Sequence, residues 1–132
     1  MGKDMKLVSE EFTREIIAAA IEVHKYLGPG LLESVYEECS ARELELRGIQ
    51  FQRQMPLKLV YKGQALDCDY RMDLVVQNKV IIELKAVDKL LPVHTAQLLT
   101  YLRLSKMEIG LLFNFNEALI TEGMKRLILQ KR

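Results

Sequence analysis

The feature that most constrains the fold of this chain is a change in its hydrophobic period near Gly48. Before that glycine, apolar residues recur at steps of three and four over residues 9–27 and again over residues 31–47, which is the spacing of one helix face. We expect Ser9 to cap the first helix, and Gly28 and Gly48 to end the two helices. The amino-terminal part of the chain therefore predicts a helical hairpin.

After Gly48 the period changes to two, which is typical of strands. Apolar and polar side chains alternate over residues 49–61, and a longer alternation over residues 66–74 predicts a half-exposed strand that becomes buried. Apolar triplets on either side of residues 77–79 predict a tight hairpin. The remaining expectations follow the same patterns: a helix over about 93–106, a buried strand over 109–115, and either a short strand or a last helix over 124–129. This order predicts an α/β fold in which α-helices flank a mixed central β-sheet.

Composition limits the classes of protein to which the chain can belong. Its 132 residues are typical of a single domain, and 49% hydrophobic residues suffice for a core. Because the net charge is +1, a nucleic acid or an acidic partner must be recognised by a local site. Cys39 and Cys68 lie far apart, which argues against a four-cysteine zinc site and a disulfide framework. Without an apolar leader or a stretch of membrane-spanning length, the sequence predicts a cytoplasmic protein with no membrane partner.

Acidic residues inside two apolar strands are the strongest chemical signal. Asp73 lies on one core strand, while Glu83 and Lys85 lie two residues apart on the next strand and share a face. A buried carboxylate must be paired or must bind an ion. If Asp73 and Glu83 lie about 4 Å apart, their repulsion is about 4 kcal/mol at an effective dielectric of about 20, and Lys85 offsets one charge of the two. An oxygen-preferring cation, Mg²⁺ or Mn²⁺, would offset the remaining negative charge.

The register of the hairpin decides whether these two carboxylates can meet. A two-residue turn at residues 78–79 would pair Asp73 with Leu84, which would place Asp73 and Glu83 on opposite faces of the sheet. A shared site therefore requires a three-residue loop, a β-bulge or a bend near Asp73.

Two helical faces carry further polar candidates. His94, Gln97 and Tyr101 are three and four residues apart, so they share a face that can contact a phosphate or a metal-bound water. Glu33 and Tyr36 share a face at the start of the second helix. Taken singly, the commoner interpretation of each is structural: Glu33 interacts with the helix dipole, Tyr36 belongs to the core and Gln97 is solvated.

Residues 30–36 read G-x-x-E-x-x-Y, and on this signature the chain resembles the GxxExxY protein family. The resemblance continues through the segments YRMDL at 70–74, IELKA at 82–86 and QLLTY at 97–101. That family is placed in the PD-(D/E)XK nuclease superfamily, and Gln97 with Tyr101 resembles the Q-x-x-x-Y motif of its RecB-like branch. The resemblance implies one restriction-endonuclease-like domain over residues 1–132, with its core at about 12–129.

The resemblance also implies a role for each matching residue. Three carboxylates would hold Mg²⁺ or Mn²⁺: Glu33, Asp73 and Glu83. Lys85 would orient the attacking water and offset charge in the transition state, and Gln97 and Tyr101 would position Lys85 or the scissile phosphate. The implied activity is metal-dependent hydrolysis of phosphodiester bonds in DNA, with RNA left open.

Three classes of function remain in competition at this point. The first is a Mg²⁺-dependent nuclease, which the joint presence of all the implied site residues favours. The second is a nuclease-fold module that binds nucleic acid or a protein without catalysis. The third is a structural or metabolic domain in which Asp73, Glu83 and Lys85 form a buried salt-bridge network. Because a small domain of nearly neutral charge holds nucleic acid poorly, a homodimer or a protein partner is also left open.

Overall fold

The computed structural model describes residues 2–129, with side chains described from residue 10 onward. The helices and strands of this part of the chain follow one another in this order: α1 (Gly2–Leu27), α2 (Glu33–Leu46), β1 (Phe51–Pro56), β2 (Leu59–Tyr61), β3 (Gln64–Leu66), β4 (Arg71–Val76), β5 (Val80–Lys85), α3 (Pro92–Ser105), β6 (Ile109–Asn114), a 3₁₀ turn (Ile120–Gly123) and β7 (Met124–Ile128).

Five strands form one mixed sheet in the order β1-β4-β5-β6-β7. The β5–β6 pair is parallel and uses α3 as its crossover, while the other neighbours are antiparallel. β2 and β3 form a separate hairpin with its turn at Lys62 and Gly63. The predicted mixed sheet flanked by helices is confirmed, and the segment at 124–128 is a strand, not a helix.

Apolar side chains fill two cores, one on each face of the sheet, and their burial is the main source of stability. The first core lies between the sheet and helices α1 and α2, and it includes Tyr36 and Phe113. The second core lies under α3 and includes Ile81 and Leu98. Gly110 in β6 allows α3 to pack closely, because a Cβ added there would lie 2.9 Å from Leu98 Cγ.

Two expected boundaries are wrong. α1 begins at Gly2, so Ser9 lies inside the helix and does not cap it. The long strand expected over residues 66–74 is interrupted, since β3 ends at Leu66 and β4 begins at Arg71. Leu66 and Tyr70 alternate with polar neighbours but are exposed, because Leu66 pairs with Leu59 in the separate two-stranded sheet and Tyr70 lies before β4. A period of two therefore does not determine whether a segment joins the central sheet.

Two predictions from composition have structural counterparts. Cys39 and Cys68 are both free and half-buried, in agreement with the absence of a disulfide framework. None of the helices within residues 2–129 combines the length and the hydrophobicity that a membrane crossing requires.

Strands β1 and β4 both change face midway along their length. Phe51 and Val76 pack in the first core, whereas Met55 and Met72 pack in the second. Phe51 and Met55 are four positions apart in β1, as are Met72 and Val76 in β4, so a regular strand would place both members on one face. The change occurs at Gln54, whose left-handed φ of 51° kinks β1 opposite residue 73 of β4. This kink is the bend that the sequence requires near a shared carboxylate site.

Candidate functional site

The β4–β5 hairpin brings Asp73 and Glu83 together. Its loop consists of three residues, 77–79, and the last residue pair of the ladder is Leu74 with Ile82. This register places residue 73 opposite residue 83, so the condition set by the sequence is met by a three-residue loop together with the kink.

Beyond that last pair, the two carboxylates accept hydrogen bonds from the backbone. The Asp73 N–H donates to Glu83 Oε1 at 3.2 Å, and the Leu84 N–H donates to Asp73 Oδ2 at 2.9 Å. Asp73 Oδ1 accepts a longer bond of 3.4 Å from Gln54 Nε2, and within residues 10–129 Glu83 Oε2 accepts none. Asp73 thus accepts a hydrogen bond at each oxygen, the longer one at Oδ1, whereas Glu83 accepts one at Oε1 only among these residues.

Burial and mutual repulsion oppose ionisation of this pair. Glu83 is 5% exposed, and its pKa is raised to about 8, first by burial and then by the charge of Asp73. The pKa of Asp73 is also raised, chiefly by burial, although the hydrogen bond from Leu84 opposes the shift. Lys85 favours ionisation of both carboxylates through its charge. The positive charge that Lys85 supplies is thus smaller than the combined negative charge of the two carboxylates.

Lys85 lies on the same face of β5 as Glu83 and is half-buried. Among residues 10–129, no ion pair within 4.0 Å joins Lys85 to Asp73 or Glu83. This finding contradicts the salt-bridge network that was the third hypothesis from sequence. The Lys85 ammonium instead acts on both carboxylates from a longer distance.

The end of β5 that carries Lys85 is held by the adjoining strand. The Lys85 carbonyl accepts a 2.8 Å hydrogen bond from the Phe115 N–H. The Asn114 side chain bonds both backbone groups of Val87, donating at 2.9 Å and accepting at 3.0 Å. These bonds fix the chain direction immediately after the lysine.

The start of α2 is built by the glycine and tyrosine of the G-x-x-E-x-x-Y signature. Gly30 has a left-handed φ of 97°. The Tyr36 hydroxyl donates to the Gly28 carbonyl at 2.6 Å and accepts from the Leu31 N–H at 3.1 Å, while the ring stacks on Phe115. Tyr36 is therefore a core residue that fixes the turn from which α2 begins.

Glu33 is the first residue of α2 and is exposed, and its charge contributes to the raised pKa of Glu83. Within the described residues, however, no three acidic, histidine or cysteine side chains form a group that could hold a metal ion. The structure thus brings together two of the three predicted ligands, Asp73 and Glu83. Ligation by Glu33 stays a prediction.

Glu37, one turn after Glu33, is a site neighbour that the sequence analysis missed. Gln54 Nε2 donates to Glu37 Oε1 at 2.7 Å and to Asp73 Oδ1 at 3.4 Å, so it links α2 to the carboxylate pair. The spacing of four residues from Glu33 was an available signal for Glu37. Nothing in the sequence pattern marks Gln54, because its role depends on the kink.

Helix α3 contributes Tyr101, which is 5% exposed. The pKa of Tyr101 is raised to about 12, first by burial and then by the charge of Glu83, so its hydroxyl stays protonated at neutral pH. Gln97 lies half-buried in the same groove as Tyr101. His94 has a different role, since its Nδ1 accepts the Leu91 N–H at 2.9 Å and caps α3.

Comparison with known proteins adds one finding to this geometry. A model of the PD-(D/E)XK nuclease superfamily matches residues 10–127, which include every candidate site residue. No curated protein and no solved structure matches the chain significantly.

Proposed function

The chain belongs to the PD-(D/E)XK nuclease superfamily, and from this membership we propose that it hydrolyses phosphodiester bonds in nucleic acid with the help of a divalent metal ion. DNA is the favoured substrate and RNA the alternative. The observation that carries the proposal is the Asp73–Glu83 pair beside Lys85, with Glu83 buried and Asp73 half-buried, because it combines an unbonded Glu83 Oε2 and a weakly bonded Asp73 Oδ1 with a deficit of positive charge.

The donor set fits Mg²⁺ or Mn²⁺. Asp73 Oδ1 and Glu83 Oε2 are oxygen donors held on rigid strands, and a cation between them would relieve the repulsion that raises both pKa values. Glu33 would complete the ligand set from the start of α2. The bound ion would supply Lewis acidity toward a phosphate oxygen and a nucleophile at neutral pH.

The other side chains have roles that follow from their charge and protonation. The Lys85 ammonium, whose charge acts on both carboxylates, would orient water and offset the charge that develops in the transition state. The protonated Tyr101 hydroxyl is a hydrogen-bond donor toward the same phosphate. Gln97 lies one turn before Tyr101 and presents its amide to the substrate or to Lys85.

Finer assignments are part of the same proposal. The signature at residues 30–36 supports membership of the GxxExxY family, and Gln97 with Tyr101 supports the RecB-like branch. We propose one nuclease domain over residues 1–132 with its core at about 12–129, of which residue 1 and residues 130–132 lie outside the described part. A cytoplasmic location, and a homodimer or protein partner that helps to hold nucleic acid, are also proposed.

A second candidate is a nuclease-fold module that binds nucleic acid or protein without catalysis. The observation that favours it is the exposed position of Glu33, which leaves two carboxylates and no group of three among the described residues. Both candidates require the Asp73–Glu83 pair, so they are distinguished by turnover and not by metal binding.

The experiment that tests the proposal is cleavage of labelled single- and double-stranded DNA, and of RNA, in Mg²⁺ or Mn²⁺ against EDTA. Lys85→Ala prepared in parallel is the control for a contaminating nuclease. Metal-dependent cleavage by the parent, lost in the variant, supports the nuclease. Absence of cleavage in both, with the metal still raising the melting temperature, supports the binding module.

A further inference from the structure

A groove of about 320 Å³ runs between the β2–β3 segment and α3. Apolar side chains line both of its sides, with Leu57 and Leu59 on one side and Leu104 of α3 on the other. Tyr70 also lines it and is 55% exposed, with its ring edge-on to Tyr101 at a centroid distance of 6.2 Å. An exposed aromatic ring beside an apolar surface offers a flat ligand a stacking platform.

This groove adjoins the candidate active site through Tyr101. Tyr101 lines the groove and also interacts electrostatically with Glu83 and Asp73, and Gln97 lies beside it. A ligand in the groove would therefore lie next to whatever the carboxylate pair binds. Within residues 10–129 the Gln97 amide has no hydrogen-bond partner, so its donors and acceptor are available to a ligand's polar edge.

Two arginine side chains make hydrogen bonds beside this region. Arg103 Nη2 donates to Thr100 Oγ1 at 3.0 Å, and Thr100 lines the groove. Arg71 Nη1 donates to the Gln54 carbonyl at 3.2 Å, on the side of the carboxylate pair. The arrangement combines an apolar aromatic slot with flanking positive charge, which matches a flat base attached to a phosphate chain.

We propose that the groove binds an unpaired nucleobase, stacked on Tyr70, so that single-stranded nucleic acid is the preferred ligand. This inference rests on the proposed function, whose substrate class it narrows. A base in a duplex is already stacked and paired, and it reaches such a slot only after costly extrusion. The groove therefore distinguishes single-stranded from duplex nucleic acid by whether the face of a base is accessible. Its affinity depends little on which base is bound.

The test measures binding of a labelled oligothymidylate and of a blunt duplex by fluorescence anisotropy in EDTA, where binding is separate from cleavage. The parent should bind the single strand about 10-fold more tightly than the duplex, and Tyr70→Ala should weaken single-strand binding by about 10-fold. Tyr70→Phe keeps the ring and should bind within about twofold of the parent. Tyr61→Ala is the matched control, because Tyr61 is 60% exposed on the neighbouring hairpin and does not line the groove.

The outcomes separate this inference from the proposed function. Equal single-strand binding by parent and Tyr70→Ala, equal binding of duplex and single strand, or no binding of the single strand overturns the nucleobase site. Metal-dependent cleavage of the single strand that is unaffected by Tyr70→Ala also overturns it and leaves the nuclease in place. Tyr70-dependent binding without cleavage in any metal supports the nucleobase site and removes the nuclease.

Discussion

Asp73 and Glu83 make the metal-free protein sensitive to pH because burial opposes the charge of both residues. The pKa of Glu83 is about 8 in the folded chain against 4.5 for a free side chain, so the folded state binds the extra proton between these values. The free energy of unfolding in EDTA should therefore fall as pH rises through this window, and the raised pKa of Asp73 acts in the same direction.

Melting temperatures in EDTA between about pH 5 and about pH 8 measure this dependence. Glu83→Gln removes the ionisable group and should flatten the profile. If the melting temperature of the parent rises with pH, or if its pH dependence coincides with that of Glu83→Gln, the raised pKa values of the carboxylate pair are contradicted.

Lys85 is expected to act on the reaction and not on folding, because no ion pair within 4.0 Å ties it to either carboxylate. Lys85→Ala should lower cleavage by about 100-fold through loss of one preorganised charge. Initial rates of cleavage and the melting temperature measure the two effects. Lys89→Ala, which removes an exposed lysine nearby, is the matched control, and equal rates for all three proteins would exclude the role given to Lys85.

Asp73→Asn tests the carboxylate as a metal ligand. An asparagine carbonyl can still accept the Leu84 N–H, so the hairpin keeps its bond while the charge is removed. The rise in melting temperature on titration with Mg²⁺ should disappear, since a ligand stabilises the fold only through its affinity for the folded state. Asp69→Asn, at an exposed position, should keep that rise. An unchanged Mg²⁺ response in the Asp73 variant would remove it from the ligand set.

At the scale of elements, sequence patterns predicted those structures that a single segment determines. The β4–β5 hairpin, α3 and β6 follow from local periodicity and from turn residues, whereas the three-residue length of the hairpin loop was left open by the sequence. The kink at Gln54 and the gap after Leu66 depend on packing between distant segments, so the alternation of side chains gave no sign of them. The same limit applies to Gln54, whose hydrogen bonds to Glu37 and Asp73 depend on that kink, whereas Glu37 itself could have been found from its spacing of four residues from Glu33.

The turn before α2 depends on one hydroxyl group. Tyr36→Phe would leave the Gly28 carbonyl and the Leu31 N–H without their bonds to that group, at a cost of about 1–3 kcal/mol in the free energy of unfolding. Denaturant unfolding measures the change. Tyr26→Phe, at a side chain that is 86% exposed, should leave stability unaltered. Equal stability of the two variants would show that the hydrogen bonds of the Tyr36 hydroxyl do not hold the turn.

At the scale of the whole molecule, a net charge of +1 limits how nucleic acid can be held. Among the described residues, the positive groups that the site and the groove provide are Lys85, Arg71 and Arg103. About three phosphate contacts to a single strand give a slope of about −2 in a plot of log affinity against log salt concentration. Anisotropy titrations at several salt concentrations measure this slope. A value several times steeper would indicate a basic surface outside the groove, or one formed by a second copy of the chain.

The change of face in β1 and β4 has a consequence for how this molecule can evolve. Because each of these strands contributes side chains to both cores, neither face of the sheet is an independent cooperative unit. Asp73 lies at this crossing and Glu83 lies opposite it on β5, so a substitution that loosens either core also displaces the pair. Selection for catalytic turnover and selection for stability of the folded chain thus act on the same residues. Substitutions cannot accumulate in one core without affecting the other core and the carboxylate pair.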